Sequence, residues 1–431
     1  TNDSMADGGI SRPVVLEQLG ELYISQLHIT PHVENNQWKA KVEIIAVNLS
    51  EKDQTVDVSI SIVDKVHRWE AVAVGANEEI TLCEDFAFEQ VETWEIGHPA
   101  LYYAKAELKR DGSRIDDCIE RFGFREIRIK QDKILLNGRA VRIKGLCRHE
   151  DHPQFGCALP YAAIAADIEL IRHLGANSIR AVHYPDDEVF LDLCDEQGIL
   201  VWEENHARGL SLENMQNPNF EPQAEAVIRE MIPLHYNHPC IYIWGILNEC
   251  ASHSAYGKEC YGKQYDIIKS LDPSRPRSSA SCQFKSDICL DLPEVVSYNI
   301  YPLWYHDTPP MEYLDDLYQW VQNETEGSGK PFLITEIGAG AIYGCRNNHC
   351  AKWTEEYQAQ ALEKQLTAVL QHKGCSGVYI WQFCDIRISD EWFGGRPRTM
   401  NNKGVVDEYR RRKLSYEVVK RIFESYPDYF V

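Results

Sequence analysis

The sequence of 431 residues lacks three features that would place it at a membrane or on a nucleic acid. No apolar run approaches the roughly 18 residues that a membrane-spanning helix needs, and its first residues, TNDSMADGGI, lack the basic-then-apolar pattern of a signal peptide. Basic residues are scarce, since 44 Lys and Arg stand against 66 Asp and Glu. Because nucleic acids are bound mainly through clustered Lys and Arg, we expect neither a nucleic acid nor a membrane as partner.

Motifs for disulfides, metals and nucleotides are lacking as well. The 14 cysteines are scattered without a CxxC pair, and the 15 histidines form no HExxH motif. His149 and His152 in RHEDHP lie beside acids, but the sequence has no Cys/His cluster with zinc spacing. No GxGxxG follows an early strand, which argues against a nucleotide site. We therefore predict a reduced, cytoplasmic protein without metal or cofactor.

Two hydrophobic periodicities divide the sequence. From residue 21 to about 130, six or seven short segments such as WKAKVEIIAVNL alternate apolar and polar residues between turn signals, which predicts an antiparallel β-sandwich. From about residue 137, apolar strands alternate with amphipathic helical stretches. Eight such strands in about 290 residues favour a (β/α)8 barrel, with a doubly wound sheet as the structural alternative.

Two of the predicted barrel strands end in glutamate. IYIWGILNE carries Asn248 and Glu249 at its carboxyl end, and PFLITEIG carries Glu336. Either glutamate alone is more simply a helix cap or a turn residue, but catalytic groups of such barrels lie at the carboxyl ends of strands. The other strand ends supply acids, amides and aromatic rings suited to sugar hydroxyls and apolar sugar faces, among them Asp151, His183, Tyr301 and Trp381. These features predict a carbohydrate site with paired carboxylates.

Several motifs resemble the barrel signatures of glycoside hydrolase family 2, which contains β-galactosidases, β-glucuronidases and β-mannosidases: VRIKGLCRHEDHP, LGANSIRAVHYP, LCDEQGILVWEEN, IWGILNE and PFLITEIG. The segment ETWEIGHPALYYAKAEL looks like the immunoglobulin-like domain of that family, and GGISRPVVLEQL is similar to the last strand of its jelly-roll, sugar-binding domain. The resemblance implies a multidomain chain: a jelly-roll remnant over residues 1–20, an immunoglobulin-like β-sandwich over 21–130 and a catalytic (β/α)8 barrel over 131–431.

The resemblance also implies roles. Glu249 would be the general acid and base, and Glu336 the nucleophile, of a retaining hydrolysis in which the two carboxyl groups lie about 5 to 5.5 Å apart. Asn248 would bind the sugar 2-hydroxyl. In the segment YNIYPLWY, Tyr301 would orient the nucleophile and Tyr305 would reach toward the substrate.

The segment MNNKGV after the last barrel strand points to a uronic acid. Asn401 and Lys403 resemble the N-x-K motif that holds the substrate carboxylate in β-glucuronidases, and an ammonium left unpaired by a neutral sugar gives discrimination. Arg398, three residues before Asn401, is a further candidate for that contact. The resemblance therefore implies an exo-acting β-glucuronidase, or a close uronidase such as a β-galacturonidase.

Two departures from the glucuronidase pattern keep other functions open. Ile300 replaces the usual Arg of the tyrosine segment, and Pro153 gives RHEDHP a form closer to β-galactosidases. A family member that acts on a neutral sugar is therefore the first alternative. A truncated, non-catalytic carbohydrate-binding protein is the second, because most of the jelly-roll domain is not in the sequence. Since members of this family are frequently oligomers, a homo-oligomer is also compatible with the acidic surface.

Overall fold

The computed structural model describes residues 8–389 and 396–430. The amino-terminal part is built from antiparallel strands. They are β1 Leu22–Glu34, β2 Gln37–Asn48, β3 Gln54–Ile62, β4 Lys65–Val74, β5 Glu79–Phe88, β6 Trp94–Glu95, β7 His98–Pro99, β8 Tyr102–Arg110 and β9 Ser113–Phe122. One sheet has the order β1–β2–β5 and a second has the order β4–β3–β8–β9.

Alternation of side chains explains why these two sheets pack on each other. In β3, Val56, Val58, Ile60 and Ile62 are buried, while the residues between them are partly or fully exposed. With a period of two, such strands place one apolar face toward a partner sheet, and a single core contains residues of both sheets. The predicted all-β domain is confirmed. Its immunoglobulin-like type and its bounds of 21–130 stay predictions.

The carboxyl-terminal part is a closed barrel of eight parallel strands. After the short strands β10 Ile127–Lys130, β11 Lys133–Leu136 and β12 Arg139–Ala140, the barrel strands are β13 Ile143–Arg148, β14 Ser178–Ala181, β15 Leu200–Glu204, β16 Ile241–Ile246, β17 Arg277–Ser281, β18 Val296–Asn299, β19 Phe332–Ile337 and β20 Cys375–Ile380. Strand β13 pairs with both β14 and β20, which closes the barrel. This confirms the predicted (β/α)8 barrel.

Helices cover the outside of the barrel. They are α1 Tyr161–His173, α2 Glu188–Gln197, α3 Leu212–Met215, α4 Phe220–His235, α5 Ala255–Leu271, α6 Pro310–Glu324, α7 Glu355–Gln371 and α8 Leu414–Ser425, with 3-10 turns at Phe284–Ser286 and Pro397–Thr399 and a small ribbon of β21 Ile386–Arg387 and β22 Met400–Asn401. Because helices cover one face and interior side chains the other, the barrel strands are buried along nearly their whole length. None of the helices in the described ranges is long and apolar enough to cross a membrane.

Hydrogen bonds to main-chain groups fasten the all-β part to the barrel. Arg125 donates to the carbonyl oxygens of Pro239 and Ile241, each at 3.0 Å, just where β16 begins. Asn237 accepts from the Ile29 N–H at 2.9 Å. Residues 8–20 form neither helix nor strand, so the jelly-roll origin of residues 1–20 stays a prediction.

Candidate active site

Glu249 and Glu336 line one cavity at the carboxyl ends of the barrel strands. Glu249 follows β16, the fourth strand of the barrel. Glu336 is the second-last residue of β19, the seventh strand. The cavity has a volume of ≈ 300 Å³, which lies at the lower end of the range for small-molecule sites. It is also lined by Cys282, Asn299, Ile300, Tyr301, Tyr305, His306, Tyr313 and Lys403. The structure thus brings together the two glutamates that the strand ends singled out.

Both oxygens of the Glu336 carboxylate are held by hydrogen bonds. Arg180 Nη1 donates to Oε1 at 3.0 Å, and the Tyr301 hydroxyl donates to Oε2 at 2.5 Å. Burial and the charge of Glu249 raise the pKa of Glu336 to about 8, although Arg180 and Tyr301 act to lower it. When Glu249 carries a proton, its contribution disappears, so a single proton on Glu249 favours an ionised Glu336.

Arg180 is the central cation of the buried network that we call the cavity floor, which consists of Arg180, Glu204, Asn248, Asn299 and Glu336. Its guanidinium donates to both oxygens of Glu204 at 3.1 Å and to Asn248 Oδ1 at 2.8 Å. Burial lowers the pKa of Arg180, but Glu204 and other neighbours raise it overall. A planar guanidinium fits this task because it makes several bonds in fixed directions. Arg180 therefore fixes three polar groups relative to one another.

Glu249 is oriented by Asn299 and by its own backbone. Asn299 Nδ2 donates to Glu249 Oε1 at 2.8 Å and to Asn248 Oδ1 at 3.0 Å, while its Oδ1 accepts from the Thr335 hydroxyl at 2.8 Å. The Glu249 N–H donates to the Ala280 carbonyl at 2.8 Å. Glu249 has a φ of 54°, in the left-handed region that residues with a side chain seldom adopt and that recurs at functional sites.

Lys403 brings a buried ammonium group to the same cavity. The residue is 3% exposed, and its Nζ donates to the Tyr305 hydroxyl at 2.9 Å. The same Nζ lies 5.4 Å from the ring centre of Tyr301 and 5.1 Å from that of Tyr305, within the range of cation–π attraction. Asn401, two residues earlier, is fully buried, and its carbonyl accepts from Gln382 Nε2 at 3.4 Å.

His183 and Trp381 form a stacked pair behind the glutamates. Their ring centres are 5.2 Å apart with an interplanar angle of 16°, and His183 Nδ1 lies 2.7 Å from Glu204 Oε1. Burial, with Arg180 and Arg208 nearby, lowers the pKa of His183 well below its ordinary value, so the ring is neutral near pH 7. The pair is therefore tied to the cavity floor through Glu204.

Two predicted site residues lie in different surroundings. Arg398 donates to Glu408 Oε1 at 2.6 Å, and its side chain is 53% exposed. Asp151 accepts from the Arg387 N–H at 3.2 Å. Neither of the two is among the described residues that line the cavity. The predicted site residues Asn248, His183, Trp381 and Asn401 do not line it either.

Three members of the cavity floor were missed as site residues in the sequence. Arg180 lies in β14, within the motif LGANSIRAVHYP, and a charged side chain in a buried strand is a signal that it needs a partner. Glu204 and Asn299 are the last residues of β15 and β18, and position near a strand end also pointed to Glu249 and Glu336. Applying the strand-end criterion to every strand would have included these two residues.

One cluster has the donor atoms of a metal site but lies elsewhere. Asp195, His238 and Cys240 place their ligand atoms within 4.8 Å of one another. Cys240 directly precedes β16, at the end of the barrel opposite the glutamates. His238 Nδ1 already lies 2.7 Å from Asp195 Oδ2, and Arg121 Nη2 lies 3.8 Å from the same oxygen. These bonds account for the cluster as an ion-paired contact, and the expectation of a site without metal stays a prediction.

A closed parallel barrel with two glutamates in one polar cavity is the construction of a glycoside hydrolase. Two family models match the chain, one described as "Glycosyl hydrolases family 2, TIM barrel domain" over residues 127–425 and one as "Glycosyl hydrolases family 2" over residues 22–125. The chain belongs to glycosyl hydrolases family 2, as its motifs had indicated.

Known relatives within this family differ in the sugar that they are named for. The chain is 28% identical to a β-glucuronidase of Streptococcus agalactiae over 94% of its own length and 70% of the relative's. It is 62% identical to a β-galacturonidase of Eisenbergiella tayi whose crystal structure holds galacturonate, with a TM-score of 0.97 over 100% of this chain and 77% of that one. A β-D-glucuronidase structure from Dictyoglomus thermophilum is 26% identical, with a TM-score of 0.80 over 95% and 70% of the two chains.

Proposed function

We propose that this glycoside hydrolase is a retaining, exo-acting β-uronidase whose preferred substrate is a terminal β-D-galacturonide. The observation that carries the proposal is Lys403, a buried ammonium that lines the same cavity as Glu249 and Glu336. The carboxylate of a uronic acid bound in this cavity can make a charge-assisted hydrogen bond with the ammonium. A neutral sugar offers no such contact and should therefore bind less well.

In the first step, Glu336 attacks the anomeric carbon while the bond from that carbon to the leaving oxygen breaks. The proton on Glu249 passes to the leaving oxygen, so the aglycone departs as an alcohol. Arg180 and Tyr301 hold Glu336 in the orientation for this attack. In the second step, Glu249 takes a proton from water, the water oxygen attacks the anomeric carbon, and the ester bond to Glu336 breaks.

Asn248 is the proposed partner of the sugar 2-hydroxyl. Its Oδ1 accepts from Arg180 Nη2 at 2.8 Å and from Asn299 Nδ2 at 3.0 Å. With the oxygen engaged twice, the Nδ2 group is the atom that can donate to the sugar, and such a contact strengthens in the transition state. The other proposed substrate contacts are Asp151, His183, Tyr301, Tyr305, Trp381, Arg398 and Asn401.

Galacturonate and glucuronate differ only in the orientation of the 4-hydroxyl, and Lys403 suits the carboxylate of either. The sequence motifs put a glucuronide first. The 62% identity to a protein named as a β-galacturonidase, against 28% for one named as a β-glucuronidase, supports the galacturonide. We therefore rank the galacturonide above the glucuronide and both above neutral sugars.

The test is hydrolysis of three p-nitrophenyl β-D-glycosides, the galacturonide, the glucuronide and the galactoside. We expect kcat/KM to fall in that order, with the galactoside lowest by about 10- to 100-fold, because a charge-assisted contact is worth about 1.5–3 kcal/mol. Lys403→Met, which keeps an apolar stem of similar length, should remove the preference for the galacturonide over the galactoside. Glu336→Gln is the inactive control.

Two results would contradict the proposal. A wild-type protein that cleaves the galactoside as well as the galacturonide has no uronate site. If wild type and Lys403→Met had the same ratio of kcat/KM for the galacturonide and the galactoside, Lys403 would not be the cause of the uronate preference.

A further inference from the structure

We propose that Cys282, Phe284, His306 and Tyr313 form a subsite for the leaving group, and that this subsite selects aglycones with a planar aromatic ring. We call these four residues the aromatic wall. The inference rests on the proposed function, because it concerns the aglycone of the same substrate. Three of the four residues line the catalytic cavity, and Phe284 packs behind them.

Ring contacts define the aromatic wall. The centres of the His306 and Tyr313 rings are 5.4 Å apart with an interplanar angle of 29°, and those of Phe284 and Tyr313 are 5.1 Å apart with an angle of 46°. Tyr313 thus contacts both of the other rings. Its neighbour in the cavity, Cys282, adds a further small apolar group. Adjoining rings of this kind suit a flat ring better than a flexible chain.

The aromatic wall adjoins the proposed proton donor. Glu249 N–H donates to the carbonyl of Ala280 in β17 at 2.8 Å, and Gln283 Nε2 donates to the carbonyl of Cys250 at 3.2 Å. The loop that carries Cys282 and Phe284 is therefore bonded directly to the segment that carries Glu249. Because the leaving oxygen must meet the proton of Glu249, the rest of the aglycone emerges beside this loop.

The order of the barrel strands places most of the aromatic wall next to Glu249. Cys282 and Phe284 follow β17, and His306 and Tyr313 follow β18, the two strands after β16 and Glu249. Lys403 lies beyond β20, and its Nζ contacts Tyr305, which directly precedes His306 in the chain. The proposed sites for the sugar carboxylate and for the aglycone therefore adjoin at Tyr305 and His306.

The backbone of the aromatic wall is held in place before any ligand binds. The Tyr298 hydroxyl donates to the Phe284 carbonyl at 3.2 Å, and Gln283 N–H donates to the Ser281 hydroxyl at 3.2 Å. Phe284 has a φ of 45°, a strained value for an aromatic residue that the surrounding bonds must maintain. A surface fixed in this way loses little entropy when a ring stacks on it.

The experiment compares two inhibitors that share the sugar, methyl and phenyl 1-thio-β-D-galacturonide, in which sulfur replaces the bond that is cleaved. Inhibition constants are measured against p-nitrophenyl β-D-galacturonide, so differences in leaving-group chemistry do not enter. We expect the phenyl compound to bind about tenfold more tightly than the methyl compound. Tyr313→Ala should reduce this ratio by about two- to tenfold, the range for one aromatic contact, while Tyr313→Phe should preserve it.

The controls separate the possible failures. Tyr103→Ala removes an exposed ring of the all-β part and should leave the ratio unchanged. His306→Ala gives a second test of the same surface if Tyr313→Ala does not fold. A ratio near one in the wild type, or a ratio unaffected by Tyr313→Ala and His306→Ala, overturns the subsite while leaving the uronidase intact. If neither inhibitor binds and no uronide is cleaved, the proposed function itself has failed.

Discussion

The cavity floor and the aromatic wall meet at Glu249 but are built from different interactions. The cavity floor is buried and joined by charged hydrogen bonds, so that Arg180 alone contacts Glu204, Asn248 and Glu336. The aromatic wall is partly exposed and joined by ring contacts. Loss of one charged partner in the cavity floor leaves a buried charge uncompensated. Loss of one ring in the aromatic wall removes only part of the surface on which an aglycone can stack. We therefore expect catalysis to depend on the cavity floor. Substitutions in the aromatic wall should instead change which aglycones are preferred.

The largest expected effect comes from removing either glutamate. Glu336→Ala should lower kcat by about 10⁴-fold or more, because it removes the proposed nucleophile. With azide and a p-nitrophenyl galacturonide, this variant should form the α-linked uronosyl azide, since azide then attacks in place of Glu336. Glu249→Ala should instead form the β-linked azide, because azide attacks the covalent intermediate. The products are distinguished by NMR of the anomeric proton.

This comparison assigns the two roles independently of sequence. If both variants gave the same anomer, the roles of nucleophile and acid would not be divided as proposed. Wild-type enzyme with azide is the control and should release mainly the uronic acid.

The second effect concerns the stability of the cavity floor. Arg180→Met leaves the buried carboxylates of Glu204 and Glu336 without the Arg180 cation. This should lower the free energy of unfolding by about 3–5 kcal/mol. Arg421→Met is the matched control, because Arg421 pairs with Glu363 where the two side chains are 65% and 47% exposed. An exposed pair contributes at most about 1 kcal/mol. Urea denaturation followed by tryptophan fluorescence measures the free energy of unfolding of both variants. Similar midpoints for the two variants would mean that the floor is not stabilised by its central cation.

Much of this architecture could be read from the sequence because it depends on local periodicity. The change from strands with alternating burial to continuous apolar strands separated the all-β part from the barrel, and position at a strand end identified Glu249 and Glu336. Contacts between side chains on different strands and loops of the barrel could not be predicted in this way. Arg398 was predicted to meet the substrate carboxylate, but a long side chain on a loop has several partners within reach, and the structure pairs it with Glu408.

The network around Arg180 illustrates the same limit. Its side chain donates hydrogen bonds to Glu204, Asn248 and Glu336, which are 24, 68 and 156 positions away in the sequence. Only closure of the barrel brings these residues together. A single sequence indicates that a buried arginine needs partners, but it does not identify them. By contrast, the segment around Lys403 could be recognised because the resemblance fixed its place after the last strand.

The third expected effect is a pH-dependent cost of Glu336 to stability. Burial and Glu249 raise its pKa from an ordinary value of 4.5 to about 8, so the folded pair of Glu249 and Glu336 keeps one proton that the unfolded chain releases in this range. The favourable contribution of that protonated carboxyl is present below about pH 4.5 and is lost as the pH rises toward 8. Glu336→Gln does not ionise. Its melting temperature relative to wild type should therefore rise between pH 5 and pH 8.

The matched control for that measurement is Glu249→Gln, which keeps Glu336 but removes the charge that helps to raise its pKa. Its melting temperature relative to wild type should also rise with pH, but less than that of Glu336→Gln, because burial of Glu336 remains. Differential scanning at one heating rate from pH 5 to pH 8 compares the three proteins. A difference between Glu336→Gln and wild type that stays constant with pH would mean that both glutamates are ionised throughout this range, and that Arg180 and Tyr301 outweigh burial and the neighbouring carboxylate.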